Sequence, residues 1–275
     1  MAERPLGQEA ATGLRHRVGP WRILCGPLPH GWLAEAADPP DARPDLHIEV
    51  VASEPARSSP GDALVTSDSP DQTEADFARG RLRFDWRAGR ATWHWPAEPI
   101  DEPRSLLLEP SWLATMAILA YRAGGVLMHG ATVVGADGAV VVSGASGAGK
   151  STLARHFPGH YLHDDVTLIV PQGGRWLVWY QDAYRPQPGP FPVGVPLRGL
   201  HFLGPDRQQT RASAMSSGRA MQALCEQLFY LGPQCASALL ARGAQITADL
   251  PAFELSHCLA DPQSVRIQEL FGHLG

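Results

Sequence analysis

Eight consecutive residues near the middle of the chain match the pattern G-x-x-x-x-G-K-[ST], which is typical of loops that bind nucleotide phosphates. They read Gly144-Ala145-Ser146-Gly147-Ala148-Gly149-Lys150-Ser151. Lys150 is the only lysine of the chain, because the 23 basic residues are this lysine and 22 arginines. A flexible ammonium fits between phosphate oxygens where a planar guanidinium does not. The pattern therefore predicts a phosphate-binding loop.

The residue types of this loop predict a role for each position. Backbone N–H groups of the loop and of the helix start after it would bind phosphates, and Lys150 would bridge the outer phosphates as a catalytic group. Ser151 would ligate Mg²⁺. We therefore expect ATP and Mg²⁺ as cofactors. The predicted nucleotide contacts are Gly144, Ser146, Gly147, Ala148, Gly149, Lys150, Ser151 and Thr152. The alternative is a glycine-rich turn that binds nothing.

The residues on both sides of the loop predict the elements that must hold it. Residues 139–143 are an apolar, β-branched run and predict a buried strand. Residues 151–157 predict a helix that Pro158-Gly159 ends. This order of strand, loop and helix is the context that a phosphate-binding loop requires.

Two adjacent carboxylates lie 14 residues after Lys150, in front of the apolar run 166–170. Asp164 and Asp165 can aim one carboxylate at Mg²⁺ and the other at an acceptor hydroxyl, where it acts as a base. An exposed acidic pair or a helix cap is the alternative. His129 ends the strand that leads towards the loop and is placed to hydrogen-bond one of these carboxylates. A structural histidine is the alternative there.

The rest of the chain predicts two domains. Residues 1–104 are β-rich, with strands at 21–24 and 46–51, a hairpin around 87–90, and a flexible loop near 53–78. Residues 105–275 mix strands and helices, which indicates an α/β core. The predicted strands there are 126–134, 139–143, 166–170, 176–180, 199–203 and 252–256. The predicted helices besides the loop helix are 110–121, 218–231, 236–242 and 262–274.

Composition and charge bear on partners and location. A net charge of −5 and a pI of about 6.1 predict no binding to nucleic acid or to an anionic membrane. No apolar run approaches the length of a membrane helix, and the first residues lack the order of a signal peptide. The four cysteines have no C-x-x-C spacing and read as reduced thiols. We expect a cytoplasmic protein.

Taken in order, these residues resemble a known family. His129-Gly130, a hairpin, the phosphate loop and then Asp164-Asp165 before a strand are similar to HPr kinase/phosphorylase and its shorter bacterial relatives. Arg198-Gly199-Leu200 resembles the Arg-Gly-Leu segment of that family, and the resemblance covers about residues 107–203. It implies a P-loop core like that of phosphoenolpyruvate carboxykinase and HPr kinase, with an N-terminal β-rich domain.

The resemblance also implies an activity, which is ATP-dependent phosphorylation of a serine hydroxyl on a peptide or small protein. Asp164 is similar to the acid/base aspartate of the family, Asp165 and Ser151 would lie on the metal side, and His129 would be the partner of Asp164. Several short relatives look like kinases that modify ribosomally made precursor peptides, lasso peptides among them. HPr enzymes assemble as rings, so a homo-oligomer is an open expectation.

The sequence departs from the family at two places. Pro196 stands where the family has a metal-side glutamate, and the Pro- and Arg-rich mobile loop of the family is replaced by a segment with Arg207 and Arg211. These departures favour a dedicated kinase over a phosphate-removing enzyme that acts on HPr. One of Arg207, Arg211 and Arg219 is a candidate to cover the γ-phosphate. Arg198 is a candidate contact for phosphate or for the acceptor, with a structural salt bridge at the strand start as the alternative. Two alternatives stay open, a nucleotide-binding regulator without catalysis and a small-molecule kinase.

Overall fold

The structure is a computed structural model that describes residues 14–18, 21–25, 46–53, 64–77, 80–96, 105–155, 157, 161–163, 165–179, 194–204 and 211–256. The chain divides into two compact units. The first comprises residues 1–112 and 182–186, and the second comprises residues 113–181 and 187–275. The predicted boundary at 104/105 coincides with the start of the first helix, whereas the units divide within that helix.

A seven-stranded sheet forms the first unit, with the strand order β1-β2-β3-β7-β6-β5-β4. The strands are β1 Leu14–Val18, β2 Trp21–Cys25, β3 Leu46–Ser53, β4 Leu64–Asp68, β5 Gln72–Phe77, β6 Gly80–Asp85 and β7 Arg90–Pro96. β3 pairs in parallel with both β2 and β7, and the other pairs are antiparallel.

The hairpin of β6 and β7 confirms the predicted alternation. Leu82, Phe84 and Trp93 are fully buried, while Arg81 and Arg83, which alternate with them on β6, are exposed. The turn between the strands ends at Gly89, whose φ of 63° favours glycine. Burial of these large side chains on one face stabilises the sheet, because removing one such side chain from water contributes about 1.5–3 kcal/mol.

The predicted loop at 53–78 is wrong at 64–68 and 72–77, because β4 and β5 form an antiparallel pair there. Thr73, Ala75 and Phe77 alternate as the buried residues of β5. Thr73 Oγ1 donates a hydrogen bond to Asp68 at 2.6 Å and accepts one from Trp86 Nε1 at 2.8 Å. Threonine and alanine are weakly apolar, so this alternation was hidden among Ser, Asp and Pro residues. Residues 54–63 lie outside the described part of the chain.

The second unit is built on a nine-stranded sheet with the order β11-β9-β10-β14-β13-β12-β8, to which β16 and β15 add beside β14. Its strands are β8 Val126–His129, β9 Ala131–Gly135, β10 Gly138–Ser143, β11 Tyr161–His163, β12 Val166–Gln172, β13 Arg175–Trp179, β14 Gly194–Leu203, β15 Arg211–Ala214 and β16 Ala252–Ser256. The helices are α1 Ser105–Arg122, which begins within the first unit, α2 Lys150–Arg155, α3 Ser217–Cys225 and α4 Pro233–Asp249. The chain is therefore a mixed α/β protein with two sheets, as predicted.

The strand β14 joins two parts of this sheet. Its first residues pair antiparallel with β13, and its later residues pair in parallel with β10 and β16. The carboxyl ends of β10, β14 and β16 therefore meet at one edge of the sheet, which is where ligands bind in open α/β sheets. Leu153 and Ala154 of α2 pack against Val140, Val142 and Leu255 and hold the helix over this edge.

Several element boundaries differ from the prediction. The predicted strand 126–134 is two strands that break at Gly130, because β8 pairs with β12 whereas β9 pairs with β10. A Cβ at Gly130 would lie 2.8 Å from Val141 Cγ1, so only glycine fits at the break. The helix that we expected to begin at Pro110 begins at Ser105.

The helices after β15 also differ in extent. The predicted helix 218–231 ends at Cys225, and α4 is longer than the predicted helix 236–242. The predicted helix 262–274 lies outside the described residues. Among the helices that the structure describes, none has both the length and the apolar character needed to span a membrane.

Candidate functional site

The segment Gly144–Ser151 leaves β10 and enters α2, as predicted. Three of its glycines have positive φ values, 147° at Gly144, 74° at Gly147 and 96° at Gly149. A Cβ at Gly144 would also lie 3.2 Å from Leu203 Cβ, whereas one at Gly147 would meet nothing within 4 Å. Glycine is therefore required at 144 for both space and backbone conformation, and at 147 for conformation alone.

Lys150 folds back over the beginning of this loop. Its Nζ donates hydrogen bonds to the carbonyl oxygens of Gly144 at 2.7 Å and Ala145 at 3.0 Å. Burial lowers the pKa of the Lys150 ammonium, and the carboxylate of Asp165 opposes this by raising it. The ammonium is therefore half-buried inside the loop and lies within electrostatic reach of one of the two predicted acidic residues.

The ends of three strands meet beside the loop. Ser143 Oγ, at the end of β10, donates a hydrogen bond to the carbonyl oxygen of His129, at the end of β8. The next N–H group, that of Gly130, donates to the carbonyl oxygen of Asp165 at 3.0 Å. His129 is also opposite Val166, the first residue of β12. The structure thus brings His129, Asp165 and the start of the loop together.

Asp165 has a left-handed backbone conformation with a φ of 77°, the one positive φ among the non-glycine residues that the structure describes. Aspartate and asparagine tolerate this conformation better than other residues with a Cβ. Sparsely populated backbone conformations are concentrated at functional sites. The side chain is exposed, so its carboxylate is accessible from solvent.

Two buried hydroxyl groups lie beneath this junction. Thr167 Oγ1 donates a hydrogen bond to the carbonyl oxygen of Gly130 at 3.0 Å, and it lies 2.9 Å from Thr132 Oγ1. Both threonines are fully buried. The sequence did not single them out. The available signal was that each is a threonine within an apolar strand, where a buried hydroxyl needs a hydrogen-bond partner. They link β9 to β12, and Thr167 holds Gly130, the residue whose N–H binds the carbonyl oxygen of Asp165.

A short segment after α3 borders the other side of β8. The N–H of His129 donates to the carbonyl oxygen of Gln227 at 2.8 Å, and the N–H of Phe229 donates to the carbonyl oxygen of Leu127 at 3.0 Å. The exposed ring of His129 packs against the ring of Phe229, with centroids 4.3 Å apart. We missed Phe229 because the sequence predicted an uninterrupted helix over 218–231.

The structure gives no phosphate-binding geometry for the other candidate residues. Asp164 and Arg207 lie outside the described residues. Arg219 Nη2 donates to Glu254 Oε2 at 2.5 Å, and Arg211 is exposed on β15. Neither arginine has a geometry that assigns it to a phosphate.

The structure places Arg198 away from the phosphate loop. β10 and β14 are parallel, with Leu197 opposite Ala139 and Phe202 opposite Ser143. Arg198 is thus four residues, about 13 Å, from the loop end of the sheet. Its Cγ lies instead against the backbone of Gly138, where a Cβ would come within 2.7 Å of it. Pro196 lies at the same remote end of β14, so its departure from the family pattern does not alter the loop.

Cysteine and metal chemistry add no further site in the part of the chain that the structure describes. Cys225 is a free thiol and Cys235 is buried. Over the described ranges, no group of three or more His, Cys, Asp or Glu side chains is arranged to hold a metal ion.

Comparisons with known proteins assign no family. No family model matches the chain, and no curated protein matches it. Among solved structures, the chain is similar to the Hpr(Ser) kinase/phosphatase from Coxiella burnetii, with 12% identity and a TM-score of 0.25. The match covers 45% of this chain and 98% of that chain. A TM-score of this size does not establish a shared fold, so the similarity carries no activity over to this chain.

Proposed function

We propose that this protein is a Mg²⁺- and ATP-dependent kinase that transfers the γ-phosphate to a serine hydroxyl of a peptide or small protein. The observation that supports the proposal best is the meeting of the Lys150 loop, His129 and Asp165 at the carboxyl end of β10. A phosphate-binding segment, a cation and an acidic residue are the groups that phosphoryl transfer requires.

Lys150 has a direct part in this proposal. In the structure its ammonium binds two carbonyl oxygens of its own loop. Phosphate oxygens are charged and accept stronger hydrogen bonds than carbonyl oxygens. Binding of ATP would therefore replace these contacts, and Lys150 would then neutralise charge on the outer phosphates. Gly144, Gly147 and Gly149 have no side chain that would block a close approach by phosphate.

Ser151 and Asp165 are the residues that would hold Mg²⁺. Their hydroxyl and carboxylate oxygens are the hard ligands that this ion prefers, and Mg²⁺ usually completes its shell with water and substrate phosphates. The charge interaction between Asp165 and Lys150 supports the fit, since it shows that the carboxylate acts on the ammonium of the loop. When bound, Mg²⁺ neutralises charge on the transferring phosphoryl group.

Asp164 would act as the base. In the proposed step the serine Oγ forms a bond to the γ-phosphorus, the bond to the bridging oxygen breaks, ADP leaves, and the serine proton passes to Asp164. His129 would hydrogen-bond Asp164 and hold its carboxylate in place. The position of Asp164 directly before Asp165 in the chain supports this assignment, as does the family resemblance. A ribosomally made precursor peptide of the lasso type is the acceptor that we propose.

The test compares ATP binding with phosphate transfer. Wild type, Lys150→Ala and Asp164→Asn would be incubated with γ-labelled ATP, Mg²⁺ and peptides encoded beside the gene or a cell extract. We expect both variants to lose transfer, while Asp164→Asn keeps near-normal affinity for ATP. Normal transfer by Asp164→Asn would rule out the mechanism. ATP binding by wild type without transfer to any acceptor would instead indicate a nucleotide-binding regulator.

A further inference from the structure

An apolar pocket opens beside β8, on the side away from β12. It has a volume of about 160 Å³ and is lined by Cys225, Leu228, Phe229, Tyr230, Leu239 and Leu240. Tyr230 and Leu240 are 47% and 50% exposed, and they are the large apolar side chains that are exposed within the described residues. Exposed apolar side chains gathered around one cavity mark a binding surface more often than a packing defect.

The pocket is continuous with the candidate site through a single side chain. Phe229 lines the pocket and packs against the ring of His129, with centroids 4.3 Å apart. The backbone contacts of Phe229 with Leu127 and of His129 with Gln227 hold this arrangement. The carbonyl oxygen of His129 in turn accepts a hydrogen bond from the hydroxyl of Ser143, the residue before the loop. A ligand in the pocket would therefore lie next to the group that we place beside the base.

The lining decides which ligand fits. Except for the Tyr230 hydroxyl and the Cys225 thiol, these lining side chains are hydrocarbon. A nucleotide base or a small acid would leave polar groups without hydrogen bonds in such surroundings, which costs about 1–3 kcal/mol for each group. A cavity of about 150 Å³ with apolar walls admits one benzene molecule. The volume and chemistry therefore suit one aromatic or leucine side chain.

We propose that this pocket binds an aromatic or leucine side chain of the acceptor peptide, a few residues away from the serine that receives the phosphate. This inference rests on the proposed function and adds a substrate preference to it. An extended peptide advances about 3.3 Å per residue. The number of residues between this side chain and the serine is therefore fixed by the path from the pocket past His129 to the phosphate loop.

The experiment uses synthetic alanine-based peptides with one serine and one phenylalanine, placed at each position up to four residues before or after the serine. A peptide with alanine in place of phenylalanine is the reference. Binding is measured by fluorescence anisotropy with Mg²⁺ and a non-hydrolysable ATP analogue, and transfer is measured with γ-labelled ATP. Protection of Cys225 from alkylation, measured by mass spectrometry, reports directly on the pocket.

Leu240→Glu tests the pocket, because it places a charge at the pocket mouth on an exposed position of α4. Gln245→Glu is the matched control, since it adds the same charge to another exposed position of that helix. Circular dichroism and the affinity for Mg-ATP check that both variants fold. The expected result is one spacing that binds at least about tenfold more tightly than the reference, since burial of such a side chain is worth that much. Leu240→Glu should remove this preference, Gln245→Glu should keep it, and the bound peptide should slow alkylation of Cys225.

The two proposals fail in different ways. Absence of any phenylalanine preference in binding would overturn the pocket proposal, and so would a preference that survives Leu240→Glu and leaves Cys225 unprotected. Binding that depends on Leu240 without phosphate transfer would support the pocket and contradict the kinase.

Discussion

The Nζ of Lys150 donates a hydrogen bond to the carbonyl oxygen of Gly144 at 2.7 Å. The side chain near the end of the loop therefore binds the first residue of the loop. This contact places an ammonium where burial disfavours its charge and Asp165 favours it. Because the chain has no other lysine, the charge state of this one group can be followed directly.

The pKa of Lys150 should lie below its ordinary value of 10.5, because burial disfavours the charged form. Asp165→Asn should lower the pKa further, since it removes the negative charge that opposes the shift. Protein labelled only at lysine should give one side-chain NMR signal, whose titration measures both values. A pKa at or above 10.5, or no response to Asp165→Asn, would contradict the arrangement of the two charges.

Lys150→Met should weaken binding of Mg-ATP by about tenfold to a hundredfold, because hydrogen bonds to charged groups contribute about 1.5–3 kcal/mol. Stability should change by only about 1 kcal/mol or less, since the lost contacts are two partly exposed hydrogen bonds. Calorimetry with Mg-ATP and urea denaturation measure the two quantities. Lys150→Arg is the control that keeps the charge and changes the shape. Wild-type affinity in Lys150→Met would remove Lys150 from the binding site.

Asp165→Ala should unfold more easily than Asp165→Asn by about 1 kcal/mol, because alanine tolerates a positive φ less well than asparagine. Urea denaturation of both variants measures the difference. Asp137 provides the control, since it is an exposed turn residue without a positive φ. Asp137→Ala and Asp137→Asn should therefore differ little. Equal stability of the two Asp165 variants would show that the backbone conformation at 165 is not strained.

Thr167→Val should lower the free energy of unfolding by about 1–3 kcal/mol, because it leaves the buried carbonyl oxygen of Gly130 and the hydroxyl of Thr132 without this partner. Thr132→Val should cost less when Thr167 is already valine, since the two hydroxyls interact. A double-mutant cycle by urea denaturation measures this coupling. Thr152→Val, at an exposed position of α2, should change stability by less than about 0.5 kcal/mol. Additive effects of the two buried substitutions would contradict the coupling.

Alkylation of Cys225 should have a midpoint above the ordinary thiol pKa of 9.0. Burial raises the pKa of this thiol, and the neighbouring carboxylate of Glu226 raises it further. Glu226→Gln should therefore shift the midpoint downwards without returning it to 9.0. The rate of iodoacetamide labelling at Cys225, followed against pH by mass spectrometry, gives both midpoints. Faster labelling than that of the amino acid cysteine in solution would contradict the half-buried position of Cys225.

The local features of this chain could be predicted from residue order. The loop between β10 and α2 follows from the spacing of Gly144, Gly149 and Lys150, because glycine conformations and the start of a helix depend on near neighbours. The β6–β7 hairpin follows from the alternation of Leu82 and Phe84 with polar residues for the same reason. The weak alternation of β5 failed as a signal, because threonine and alanine contribute little apolar contrast.

Contacts between distant residues required the tertiary structure. The break at Gly130 and the contact of His129 with Phe229 depend on which strands pair, and pairing joins residues tens of positions apart. The same register places Arg198 away from the loop, although its neighbours suggested a phosphate contact. Strand register cannot be read from residue spacing along the chain. Hydrogen bonds between strands that are distant in sequence, and the burial of their side chains, are determined only when the whole sheet packs.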